Sequence, residues 1–95
     1  MNQNKTIRGY IIRMLAGSAQ NTLLCHQISR KLIDDKLTGD SDISKQLDYL
    51  RQKGYIQFAG KHTALTVVSA DGPVSLTAAG VDLVEGSIED PGVDI

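Results

Sequence analysis

The sequence predicts a mainly α fold with a small β-hairpin, an α+β domain of three helices, a hairpin and a closing helix. Three observations predict it. Apolar residues recur at helical spacing in three successive segments up to Gly54. Past Gly54 the pattern shortens to strand-like alternation in residues 55–59 and a β-branched run in residues 64–69. A last helical segment then runs from Thr77 to Gly86.

The first helix is expected over residues 6–16, "TIRGYIIRMLA", with Ile7, Ile11, Met14 and Leu15 on one face. Thr6 is placed to cap it, Gly17-Ser18 ends it, and Gly9 weakens it. A polar loop "SAQN" follows. The second helix, residues 22–35, is expected to start at Thr22 and to bury Leu24, Ile28 and Leu32, with Cys25 at the flank. Gly39 and Asp40 break the pattern as turn formers.

The third helix lies in "SDISKQLDYLRQKGYI", residues 41–56. Ser41 or Asp40 caps it, Ile43, Leu47 and Leu50 form its buried stripe, and Gly54 closes it. Residues 55–59 and 64–69 are then expected as two strands joined by a hairpin turn at Gly60-Lys61-His62-Thr63. "ADGP" makes a second turn, "VSL" a short strand, and "TAAGVDLVEG" the last helix. Residues 1–86 are read as one domain and residues 87–95, "SIEDPGVDI", as an acidic tail with a turn at Asp90-Pro91-Gly92.

Composition limits the functional classes. The chain has 95 residues, with three Tyr, one Phe and no Trp, so aliphatic side chains must build a single modest core. No apolar run approaches the ~18 residues needed to span a bilayer. The lone Cys25 rules out an internal disulfide and suits a reducing compartment, so a cytoplasmic location is expected. The formal net charge of −1 hides an asymmetry. All ten Lys and Arg fall in residues 1–69 against five Asp, whereas residues 70–95 hold six acids and no base. A basic body suits a polyanion, and an acidic end repels one.

Catalytic and metal chemistries find no pattern. Cys25 and His26 are adjacent, so on a helix they diverge by about 100° and cannot form a nucleophile–base pair. His26 and His62 with one Cys have no metal-ligand spacing. No glycine-rich loop leads from a strand into a helix. No enzyme and no cofactor are expected.

Three helices, a hairpin and a helix follow the order of a winged helix-turn-helix domain. "DISKQLDYLRQKGYIQ" is similar to the junction between third helix and wing in MarR- and ArsR-like regulators, and "VSLTAAGVDLVEG" resembles the strand and helix start that follow the wing. "LTAAGVDLVEGSIEDPGV" also looks like the ending of small winged-helix proteins encoded in Mu-like prophages. The resemblance implies a transcriptional regulator that binds double-stranded DNA.

On a helical wheel, Ser41, Lys45, Asp48 and Gln52 point away from the buried stripe, flanked by Ser44 and Arg51. Base reading is expected from Ser44, Lys45 and Asp48, because Lys donates to guanine and Asp accepts from cytosine N4. Lys61 and His62 at the hairpin tip, with Arg30, Lys31 and Arg51, are expected to hold phosphates. The bland alternative is a solvated polar face. The charges of the third helix nearly cancel, which fits a protein–protein interaction module as the rival. Leu76, Val81, Leu83, Val84 and Ile88 exceed what one short helix must bury, so a homodimer contact is expected there.

Overall fold

The computed structural model describes residues 4–37 and 43–95. The first helix, α1, spans Asn4–Ala16 and buries Gly9, Ile11, Ile12 and Leu15. A single 3-10 turn at Ala19–Asn21 leads into strand β1, Thr22–Leu24. Helices α2 (Cys25–Asp34) and α3 (Ser44–Gln52) follow, then strand β2 (Ile56–Phe58). Helix α4 (Ala64–Ser69), strand β3 (Pro73–Leu76) and helix α5 (Ala78–Glu85) complete the order.

The three strands form one antiparallel sheet in the order β1-β3-β2. Leu23 faces Val74 in one ladder, and Phe58 faces Val74 in the other. Val74 is fully buried at the centre of this sheet. The core joins it to α1, α2 and α3 through Ile11, Ile12, Leu15, Ile28, Leu32, Leu47 and Leu50, all fully buried. The fold is therefore α+β, as expected. Among the described residues no helix is long and apolar enough to cross a membrane.

Several expectations hold at the level of single residues. Ile43, Leu47 and Leu50 are buried on α3. Gly54 takes φ +83 just after α3, a left-handed conformation that a side chain disfavours. The Thr77 hydroxyl accepts from the Gly80 amide at 3.2 Å and caps α5, and Gly86 ends that helix at φ +81.

The hairpin expected from residues 55–59 and 64–69 does not form. Residues 64–69 are helical, and β2 pairs with residues 74–76 instead. The local reason is a cap. The Thr63 hydroxyl accepts from the Thr66 amide at 3.3 Å, and the Thr66 hydroxyl accepts from the Thr63 amide at 2.8 Å. Ala64 and Val67, three apart, then share the buried side of α4. Burial of Val67 outweighs its strand preference. Lys61 and His62 therefore precede a helix and are not at a hairpin tip.

The second helix also starts later than expected. Thr22 lies in β1, where its hydroxyl meets that of Ser75 at 2.9 Å. The Gln27 side chain accepts from the Leu24 amide at 2.8 Å, marking the entry to α2. Cys25 is buried and Leu24 exposed, the reverse of the expected assignment. Thr6 is interior to α1, and the expected turn at Gly39-Asp40 lies outside the described residues.

Residues 87–95 pack as a strap and are not a free tail. The Gly92 amide donates to the Asp90 carboxylate at 2.7 Å, which makes the turn at Pro91. Val93 is buried, and the Asp94 amide donates to the Lys5 carbonyl at 3.0 Å. Tyr55 donates its hydroxyl to Asp90 at 2.6 Å, Lys53 pairs with the same carboxylate at 3.4 Å, and Arg8 donates to the Gly92 carbonyl at 3.2 Å.

Candidate nucleic-acid interface

The outward face of α3 is set by what its inward face buries. With Leu47 and Leu50 in the core, Lys45 and Gln52 are exposed and Asp48 half-exposed. Gln46 is buried beside α1, where it accepts from Arg8 Nε at 2.8 Å and donates to Asn4 at 2.8 Å. Arg8 also stacks on the Tyr49 ring, 3.6 Å from its centroid. These contacts fix the rotation of α3 and so the direction of Lys45 and Asp48.

The carboxylate on this face is shared internally. Gln52 donates to Asp48 at 2.8 Å, and Arg51 approaches its other oxygen at 4.0 Å. Arg51 also lies 5.9 Å from the Phe58 ring centroid. Lys45 makes no ion pair among the described residues. Two turns of helix thus present a cation, a partly neutralised carboxylate and an amide.

Helix α4 lies against the start of this face. Ser44, Lys45 and Asp48 line one wall of a groove of about 410 Å³, and Thr63, Ala64 and Leu65 line the other. Ser44, expected as a base reader, is only 8% exposed. Leu65 is 69% exposed, the most exposed large apolar side chain of the described residues. Lys61 is exposed just before α4, and His62 is held by its ring nitrogen 3.2 Å from the Thr66 hydroxyl. Ser41 lies outside the described residues.

Arg30 and Lys31 sit on the exposed side of α2. Lys31 approaches Asp35 at 4.0 Å, and Asp35 also accepts from the Tyr10 hydroxyl. Arg30 opens onto a shallow cleft with His26, Ser29, Ile33 and Asp34. The amino end of α2 is already occupied. The Asp71 carboxylate accepts from the His26 amide at 2.8 Å and meets the His26 ring at 2.7 Å. The amide bond, with the ring bond second, lowers the Asp71 carboxyl below its ordinary value. Asp71 takes φ +52 to make this contact, so its residue type and its unusual backbone serve one purpose.

Cys25 offers no chemistry. Burial, assisted by the Asp71 charge, raises its thiol to about 11, and Sγ donates to the Val67 carbonyl at 3.4 Å. Among the described residues, no group of three or more His, Cys, Asp or Glu is placed to hold a metal ion.

The residues expected at a dimer contact divide. Leu76 and Leu83 are buried in the chain's own core, Val81 and Val84 are half-buried, and Ile88 is exposed. Sequence reasoning missed α4, the Asp71 clasp and the Asp90 anchor. A signal existed for the first, since Thr63 and Thr66 have capping-box spacing. No local signal marks the other two, whose partners lie 45 and 35 residues away. No family model, no curated protein and no solved structure matches the chain.

Proposed function

We propose that the chain is a winged helix-turn-helix DNA-binding protein, acting in transcriptional regulation, with α3 as its reading helix. The observation that carries this reading is the polar, exposed side of α3, where Lys45, Asp48 and Gln52 share one face. The α+β class, with its small three-stranded antiparallel sheet, is compatible with it. Lys45 reads a guanine edge, and Asp48, buffered by Arg51 and Gln52, accepts from cytosine. Lys61 and Arg30 hold phosphates. Helix α4 stands between β2 and β3, where the resemblance implies a wing.

The test is a salt titration of binding to duplex DNA, in which log affinity falls by roughly 0.9 per log salt for each phosphate neutralised. Lys45→Ala should relax sequence preference at a cost of about 1–3 kcal/mol, whereas Lys61→Ala should weaken all sequences alike and lower the slope by about one. Absence of binding at low salt ends the DNA reading.

A second reading, a winged protein–protein interaction module, is favoured by one specific observation. Asp48 is satisfied by its own helix and Leu65 stands exposed beside it, which suits a protein surface better than a phosphate backbone.

A further inference from the structure

A groove of about 600 Å³ runs between α5 and the C-terminal strap. Its floor is Leu83 and Val93, and its walls carry Val84, Ile88 and Ile95. Ile88 and Ile95 are 39% and 44% exposed, so two of the five exposed large apolar side chains of the described residues line one groove. Scattered apolar exposure is ordinary, but a shared concave patch is not.

Charge decides what such a groove accepts. Glu89 and Asp94 line it, and Glu85 stands exposed at the end of α5. The ion pairs of the described residues engage Asp35, Asp48, Asp71 and Asp90, leaving Glu85 and Glu89 without a cation. Two bases touch the rim without pairing with the glutamates: Arg13 donates to the Asp94 carbonyl at 3.5 Å, and Lys53 pairs with Asp90, another lining residue, at 3.4 Å. A two-fold contact between copies of this chain through the groove would bring Glu85 and Glu89 of both into one seam, and like charges in a seam oppose binding.

We propose that this groove docks a basic amphipathic segment of a partner protein, its apolar stripe on Val84, Ile88 and Ile95 and its Lys or Arg beside Glu85 and Glu89. Apolar anchors at i, i+3 and i+4 fill a groove of this kind, and flanking cations set the register. The proposal is independent of the DNA reading, because it uses neither α3 nor α4.

The experiment uses the full chain labelled with nitrogen-15 and a synthetic Leu/Lys amphipathic helix, with a Leu/Glu version of the same peptide as control. The Leu/Lys peptide should bind with micromolar affinity and shift the amides of Val84, Ile88, Glu89 and Ile95. The Leu/Glu peptide should not bind. Glu85→Lys with Glu89→Lys should weaken binding at least about tenfold, and Ile88→Ser about fivefold, typical of rim charges and a groove anchor. All three substitutions lie on exposed positions, and a thermal melt checks that each variant stays folded. Failure of the Leu/Lys peptide to bind, amide shifts centred elsewhere, or equal affinity for the charge-reversed variant overturns the proposal. So does a sedimenting dimer that Ile88→Ser dissociates, since the occupant would then be a second copy.

Discussion

Gly9→Ala should destabilise this protein, although alanine is the better helix former. Gly9 lies in α1, where the exchange by itself favours the helix by about 0.8–1 kcal/mol. An added Cβ would, however, stand 2.5 Å from the Asp94 carbonyl carbon and 3.3 Å from the Ile95 amide nitrogen. The obstacle is backbone, so no rotamer change relieves it, and the strap must shift. Overpacking of this kind costs about 1–3 kcal/mol. The difference leaves a net loss of about 1 kcal/mol, or a melting temperature lower by about 5 °C for a domain near this size. The same substitution in a chain lacking residues 87–95 meets no obstacle, and there it should stabilise by about 1 kcal/mol. Thermal and urea unfolding of the four proteins, followed by circular dichroism, gives the interaction energy directly. Stabilisation by Gly9→Ala in both backgrounds would refute the docking of the strap on α1.

Leu47→Asp places a carboxylate at a fully buried site, at a cost of several kcal/mol, and should abolish cooperative unfolding near the normal midpoint. Thr63→Ala removes the cap of α4 and should cost about 1 kcal/mol, with amide exchange accelerating first in residues 64–69. Asp90 is held below its ordinary carboxyl value of 3.8, first by the Tyr55 hydroxyl, so its contribution is complete above that value and fades as pH falls through the lower folded one. Asp90→Asn should therefore flatten the acid limb of a melting-temperature profile below about pH 4, and an unchanged limb would refute that role for Asp90.

What the sequence made legible was whatever depended on neighbours within a few residues. The stripe Ile43, Leu47 and Leu50 follows from spacing alone, and Thr77 and Gly86 bound α5 by local capping. The α+β class followed from the same signals. The errors lie where a partner far along the chain decides. The run Ala64–Ser69 has strand composition, yet β2 finds its partner in β3 and leaves that run to pack Val67 between α2 and α3 as a helix. Strand β1 is three residues long and exists only through pairing with residues some 50 positions later. Gly9 read as a weak point in a helix because its reason, the Asp94 backbone, is more than 80 residues away. Residues 87–95 read as an acidic tail, with folding back of Ile88, Val93 and Ile95 left open, because Tyr55, Lys53 and Arg8 give no local sign that they will hold it.

The position of α4 restricts how α3 could meet DNA. A helix with its side chains is about 10–12 Å across, and the major groove is about 12 Å wide, so it admits one helix. Helices packed together lie about 8–10 Å apart, so α3 and α4 cannot both enter. On the DNA reading, α3 enters alone and α4 rides at the groove's edge, which sets the segment from Lys61 to Thr66 beside the phosphates. Lys61 and the two threonines suit that place, and no carboxylate interrupts residues 60–69. The near-neutral charge of α3 is then less of an obstacle than it looked. Asp48 reaches bases already shared with Arg51 and Gln52, and phosphate attraction falls to Lys61 and the cations of α2. Leu65, exposed at the same edge, is the residue this arrangement leaves to meet a thymine methyl, the one apolar group the major groove displays.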